Sequence, residues 1–534
     1  MVSTIQRSRG EWSVNQDLSG IASYPEAEAT AQPGSVHDRI SGRGLVRNTM
    51  WNFGGVIFPT IVAVFSIPFL TRGLGTDQFG ILTLASVVIG NLNIFDLGLG
   101  RALTKLVAEQ FGGQKEHTIP SLFWASFLLT LLLGVAAGLI LAALSPFLVY
   151  RVLKIPLAIR PETLATFYLL AIAMPSIVST IALRGFVEGC HRFDLLNAVR
   201  IPVNLSSYLG PLLVLPFSHH LLPVMIVLVV SRWLGWAAHL WICFRAFPAL
   251  YSHRSPKGAP LREMFGLGGW MTVTNLIAPI LVVLDRFVIG AMLSIAAVAY
   301  YATPFEVVTR LLIVPGAIVG VLFPAFSASL VHAPLRMVVL FERGLKCIIL
   351  FLFPAVLLFV GFSREGLGLW LGPGFVENST RVLQLLSIGV FFNGVAYIPS
   401  AQVQGAGRPD LTAKFLLLEL PLYLFALWVL LHRYGIVGAA VAWLLRAGVD
   451  ACLLLWATDR ILPASRGPVR RLSSVTLGAA CLLVVIVFLP SLWLRLAYVS
   501  VVATLTGWVA WAHLLSPHER SLVNGWLRVR PQAV

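Results

Sequence analysis

The sequence predicts an all-α polytopic membrane protein with about 14 transmembrane helices. The first reason is composition: 57% of the 534 residues are hydrophobic, 12% are charged and mean hydropathy is +0.85. A soluble fold of this size has too little polar surface to hide that much apolar area. The second is pattern. The apolar runs are continuous and of spanning length, not alternating as in a β-barrel. The third is charge placement: about 26 Lys and Arg fall in the segments on one side of the spans and about 7 on the other. That asymmetry predicts both termini in the cytoplasm. It also explains the net charge of +16 as topology, with no nucleic-acid partner.

Residues 1–44 are polar and turn-rich and predict a disordered cytoplasmic tail. No apolar core follows a basic start, so no signal peptide is expected. The chain is then organised around residues 47–111. Phe53 to Leu70 is apolar, Thr71-Arg-Gly-Leu-Gly-Thr-Asp-Gln-Phe-Gly80 turns, and Ile81 to Ile94 leads into Phe95-Asp-Leu-Gly-Leu-Gly-Arg101. This predicts a helical hairpin. Asn52, Asn91, Asn93 and Asp96 lie in or beside its spans, where polar groups are costly unless they face protein or a wet cavity. The hairpin is therefore read as part of a pathway wall.

Spans are placed at 47–70, 80–99, 121–148, 163–184, 198–217, 221–244, 265–290, 297–327, 345–362, 381–402, 411–431, 435–458, 472–490 and 494–514. The prolines and Asn204 make the fifth the least regular of them. Gly268-Gly-Trp270, Asn275 to Gly290 and Val298-Ala-Tyr-Tyr301 restate the opening hairpin weakly. Such a parallel repeat predicts two pseudo-symmetric lobes of six helices, at 45–245 and 265–460. A linker at 246–264 joins them. Two additional helices at 461–515 and a cytoplasmic tail at 516–534 follow. The external connections are short, the largest being 149–162 and 363–380. That disfavours an integral-membrane glycan polymerase or ligase, which would be expected to carry a large external loop. The basic exception outside is Arg151, Lys154 and Arg160. The five cysteines are scattered and imply no disulfide framework. His219-His220 lack a third ligand nearby, there is no Walker sequence, and neither a metal nor a cofactor is expected.

Charges within spans come next. Asp285 and Arg286 either snorkel to headgroups or face a central cleft. Glu306 and Arg310 share a helix face and can pair, which would offset an Arg costing at least about 3 kcal/mol at mid-membrane. Arg446 and Asp450 repeat that spacing. Arg232, between tryptophans, either finds a partner across the bundle or lines water. Asn204, Asn275, Asn393, Gln402 and Gln404 fit interhelical hydrogen bonds as well as ligand contacts.

The chain resembles the polysaccharide transporters, the O-antigen-type lipid-linked oligosaccharide flippases of the multidrug/oligosaccharidyl-lipid/polysaccharide exporter superfamily. The matching pieces include Pro68 to Gly80, Asp96 to Ala102, Arg184-Gly-Phe-Val-Glu-Gly-Cys-His-Arg-Phe-Asp-Leu-Leu-Asn197 and Asp285-Arg-Phe-Val-Ile-Gly290. Phe323 to Ser327, Gln404-Gly-Ala-Gly-Arg-Pro409 and Gly435 to Ala440 complete them. The resemblance implies a two-lobed bundle around a central cavity that opens alternately to each side. It implies an undecaprenyl-diphosphate-linked glycan as substrate, moved outward across a bacterial inner membrane for O-antigen, capsule or exopolysaccharide. A polysaccharide polymerase or another biosynthesis protein would be its partner.

Candidate cavity residues are then Asn52, Asn91, Asn93, Arg232, Asn275, Arg286, Arg310, Asn393, Gln404 and Arg446. Candidate ion-coupling residues are Asp96, Asp285, Glu306 and Asp450, on burial and charge alone. The competing readings are a multidrug or organic-cation antiporter of the same superfamily, whose cavity should be rich in acids, and a non-transporting scaffold.

Overall fold

The structure is a computed structural model that describes residues 42–90, 99–112, 116–251, 269–332, 334–514 and 520. The described residues from Met50 onward form one compact unit. The described residues are almost wholly helical, with no strand among them.

The principal helices are α1 (Gly42–Gly90), α2 (Leu99–Gly112), α3 (Ile119–Phe147), α4 (Arg160–Gly189), α5 (Phe193–Val214) and α6 (Leu221–Ala246). They are followed by α7 (Gly269–Met292), α8 (Ile295–Thr309), α9 (Ile313–His332), α10 (Pro334–Gly361) and α11 (Ser363–Trp370). The last are α12 (Pro373–Gly405), α13 (Pro409–Ile461), α14 (Arg466–Val487) and α15 (Leu492–Val509).

Among the described residues, 10 segments are long and apolar enough to cross a membrane. Two of them are bent pairs. α1 breaks at Gly75 (φ 76°, ψ 164°) and α13 at Gly435 (φ 58°, ψ −144°), backbone regions that side chains disfavour. α8 and α9 form one span, stepped by a 3₁₀ turn at Arg310–Leu312. α2 and α11 are helices that hydropathy did not anticipate. α2 carries alternate charges and polar groups, and α11 is only 8 residues long.

Lipid explains the surface. α3 exposes Leu132, Leu139 and Phe147 and turns Phe123 and Phe127 inward. The hydroxyls of Ser126, Thr130 and Ser145 donate to carbonyls one turn back, at 2.8, 2.8 and 2.6 Å, so these three are satisfied within the helix. Inward-facing residues of α2–α6 pack in a cluster around Leu103, Phe123, Phe186 and Ile242. A larger cluster runs from Leu70 and Phe79 of α1 through Ile295, Phe341, Phe391 and Trp443.

One tight turn occurs twice, after α4 and after α12. In the first, Cys190 N–H donates to Phe186 O (3.0 Å), His191 N–H to Glu188 O (2.9 Å) and Arg192 N–H to Val187 O (3.1 Å). In the second, Ala406 donates to Gln402 (2.8 Å), Gly407 to Gln404 (3.0 Å) and Arg408 to Val403 (3.1 Å) in the same pattern. Each turn has a left-handed residue, His191 (φ 55°) or Gly407 (φ 75°). Each also has an Arg forked onto an Asp two residues on. Arg192 meets Asp194 at 3.1 Å twice, and Arg408 meets Asp410 at 2.9 and 3.3 Å.

The breaks of α1 and α13 and the α7–α8 junction share a face of the bundle, here termed the hairpin face. The opposite one, where these twin turns lie, is the turn face. The two halves meet on the hairpin face. Lys154 N–H donates to Gly290 O at 2.9 Å, and Lys154 Nζ reaches Met292 O. A Cβ at Gly80 would collide with the Ile295 carbonyl.

Candidate functional site

A cavity of about 1110 Å³ is walled by α1, α4, α5, α6, α8 and the start of α9. Its upper wall on α1 is apolar, from Pro59 to Gly90, with Thr60, Thr83 and Ser86 interspersed. The other walls carry charge. Arg184 comes from α4, Arg200 from α5, Arg232 from α6 and Arg310 from the 3₁₀ step, against one carboxylate among the described residues, Glu306 of α8. Tyr208, Ser207, Asn204, Trp236 and His239 add hydroxyl, amide, indole and imidazole groups.

The mid-cavity groups are tied together. Arg310 Nη2 donates to Tyr208 Oη at 3.1 Å and lies 3.7 Å from Glu306 Oε2. Arg232 Nη2 donates to Ser207 Oγ at 2.7 Å, and the Trp236 indole N–H donates to Ser179 Oγ at 2.8 Å. Glu306 Oε1 faces a second guanidinium, Arg286 Nη2, at 3.7 Å.

Arg286 is 1% exposed and stands behind the wall. It lies 3.3 Å from Asp285 Oδ1, contacts the Val282 carbonyl, and stacks 4.4 Å over the Phe305 ring. The Tyr301 hydroxyl donates to Asp285 Oδ2 at 2.8 Å. Asp285 is fully buried, so the pair neither snorkels to headgroups nor lines the cavity; it reaches the cavity through Glu306. A closed network of this kind is how a protein carries charge at low dielectric, each ion meeting an opposite charge and further hydrogen bonds.

A second buried network lies in α13. Arg446 Nη1 is 3.6 Å from Glu419 Oε2, and its guanidinium lies 5.8 Å over both Tyr423 and Trp443. Asp450 adjoins Glu419. Arg446 therefore bonds across the bend of α13 to an acid in the other arm, and Asp450 on its own arm is not its ion-pair partner within 4 Å among the described residues. Neither Arg446 nor Asp450 lines the cavity. Asn393 is half-buried in α12 away from the cavity lining, and the Gln404 amide donates to Ser400 Oγ at 3.1 Å. Asn91, Asn93 and Asp96 lie outside the described residues, as do the side chains of Asn52 and Asn275.

Thus Arg232, Glu306 and Arg310 meet in one site. Sequence reasoning missed Arg184, Arg200, Tyr208 and His239 as cavity residues, and Glu419 as a buried acid. A signal was present. Arg200, Asn204 and Ser207 on α5, and Arg232, Trp236 and His239 on α6, recur at i, i+4, i+7, which puts each set on one helix face.

The family model described as polysaccharide biosynthesis protein matches residues 45–330. An assigned O-antigen transporter of Shigella flexneri is 30% identical over 418 residues, which is 78% of this chain and 98% of that protein. This chain belongs to the polysaccharide biosynthesis protein family. Solved structures carry the fold further. The lipid II flippase MurJ, inward closed, superposes with a TM-score of 0.67 at 12% identity, over 90% of this chain and 100% of that one. An inward-facing multidrug resistance MATE family transporter of the MOP superfamily gives 0.64 at 16% identity, over 76% and 94%. The family relatives are transporters by name, so the expectation of a transporter over a glycan polymerase or ligase stands.

Proposed function

We propose that this member of the family is a flippase. It would move an oligosaccharide carried on undecaprenyl diphosphate from the cytoplasmic to the outer leaflet, as a step in surface polysaccharide biosynthesis. The observation that carries the reading is the cavity's charge: Arg184, Arg200, Arg232 and Arg310 against Glu306. A diphosphate must not meet hydrocarbon bare, and guanidinium groups offer it paired donors in a desolvated site. Hydroxyl, amide and indole groups suit a glycan, while the polyprenyl tail can remain in lipid. An organic cation would be repelled by the same wall.

In this reading the turn face is cytoplasmic, as the charge bias implies. Residues 45–245 and 265–460 are the two lobes that rock, and the last two helices complete the bundle. The twin Arg–Asp turns support such a repeat. Asp285, Glu306, Asp450 and Asp96 are the candidates for ion coupling; unchanged pH and sodium dependence of transport in all four amide variants would remove that part.

The test is leaflet-specific detection of the lipid-linked glycan in cells with and without the protein. Accumulation on the cytoplasmic leaflet in its absence, relieved by wild type and not by Arg310→Ala, is expected. A normal leaflet distribution with undiminished surface polysaccharide overturns the reading.

A further inference from the structure

The arginines of the cavity fall into two levels. α5 and α6 are consecutive, antiparallel helices whose register is set by the Arg232–Ser207 hydrogen bond of 2.7 Å and by the packing of Gly235 against Val203. Seven residues back from Ser207 on α5 is Arg200. Seven residues on from Arg232 on α6 is His239. Both steps run toward the turn face, two helical turns or about 10 Å. Arg200 and His239 therefore share a level nearer that face than Arg232, Tyr208 and Arg310. Arg184 of α4, five residues from the end of its helix, joins the outer level, within Coulomb reach of both.

Each level has polar atoms with nothing to bond. Arg184 Nε, Arg232 Nε and His239 Nε2 are buried without a hydrogen-bond partner among the described residues. His239 is 3% exposed and its Nδ1–H donates to the Gly235 carbonyl at 2.7 Å, so the ring is fixed with Nε2 as an acceptor, which suits a hydroxyl and not an anion. The like charges of Arg184 and Arg200 face each other, with Glu188 the acid near Arg200 but forming no ion pair with it among the described residues. Unpaired guanidinium groups held together at low dielectric call for an anionic ligand.

We propose that the cavity contains two anion stations in series: an entry station of Arg184 and Arg200, and a deep station of Arg232, Arg310 and Tyr208. The ligand class is a diphosphate. The deep guanidinium groups are already tied to Ser207, Tyr208 and Glu306, so each level meets a diphosphate with its own arginines. The group is therefore captured at the first station and handed to the second. This deepens the flippase reading and rests on it for the identity of the ligand.

Inorganic pyrophosphate titrated calorimetrically into the full chain in lipid nanodiscs tests it. Two molecules should bind per chain. Arg184→Gln with Arg200→Gln should abolish one binding event or weaken it about thirtyfold or more, leaving the other, and Arg232→Gln should do the reverse. The matching lysine variants, which keep charge, should retain both events at reduced affinity and guard against misfolding. One bound molecule weakened alike by either glutamine set overturns the stations, as does no binding at all. In the leaflet assay, glycan transport by a protein with one such site would sink this inference alone. Two separable stations with no glycan transport would sink the flippase reading and leave the stations standing.

Discussion

Arg310, in the second half of the chain, donates to the hydroxyl of Tyr208, in the first half, at 3.1 Å across the cavity. Both side chains are half-buried, and Arg310 is held from its own side by Glu306 at 3.7 Å. The bond therefore links the helices that would separate in an alternating cycle. Tyr208→Phe removes it with little change in volume. A bond to a charged group is worth about 1.5–3 kcal/mol. The expected result is a change in transport rate of about tenfold or more, read by the leaflet assay, with unchanged expression and a slightly lower melting temperature. An unchanged rate would show that this bond plays no part in the cycle.

Asp285 should matter for stability more than its neighbours in the cavity. It is fully buried, and Arg286 beside it is 1% exposed. Asp285→Asn leaves Arg286 with Glu306 alone, at 3.7 Å and partly open to the cavity. Breaking a buried pair by removing one partner costs about 3–5 kcal/mol. The melting temperature in detergent should fall clearly. Replacing both, as Asp285→Asn with Arg286→Met, should restore much of the loss, because the uncompensated charge is gone. A double variant no more stable than the single would show that the unpaired Arg286 charge is not the source of the loss.

The bundle was readable from the sequence because a bilayer enforces apolar runs of fixed length. Each of the fourteen anticipated spans coincides with a helix or with one arm of a bent one among the described residues. The two bends lie at Gly75, within an anticipated joint, and at Gly435, the first residue of the span placed at 435–458. The pair Glu306–Arg310 was readable from its spacing. What escaped was pairing across helices. Glu419 meets Arg446 at 3.6 Å only because α13 folds back at Gly435, and no local spacing announces that. Arg184 and Arg200 sit near helix ends, where basic residues are ordinary topology signals. Their inward direction comes from packing against α6. The second turn of the repeat was hidden because Gly407 and His191 differ in type while sharing a left-handed backbone.

That last difference gives a test. His191 is the one non-glycine with positive φ among the described residues, at 55°. A side chain in the left-handed region costs roughly 1–2 kcal/mol, and glycine avoids it. His191→Gly should therefore raise the melting temperature slightly, offset in part by glycine's greater unfolded-state entropy. Gly407→His, at φ 75° in the twin turn, should lower it. If His191→Gly is destabilising, the imidazole makes a contribution beyond its backbone geometry, for which its ring at 6.4 Å from Phe193 is the candidate.

Arg495 anchors the last helix. It is 7% exposed and forks onto Glu365 of α11, Nη1 to Oε2 at 3.0 Å and Nη2 to Oε1 at 2.7 Å, while Nη1 also donates to Gly361 O at 2.8 Å. α15 otherwise presents much apolar surface to lipid, including Trp493, Val501 and Trp508. The fork is thus a specific polar tie between α15 and the end of α10. Because Glu365 keeps 31% of its side chain exposed, the pair should be worth less than a fully buried one, about 2 kcal/mol. Arg495→Ala should lower the melting temperature accordingly and make α15 more accessible to protease. Arg495→Lys should recover little, since an ammonium cannot present the planar fork that meets both carboxylate oxygens and the Gly361 carbonyl together. Full recovery by lysine would mean that net charge, and not the geometry of the fork, holds the helix in place.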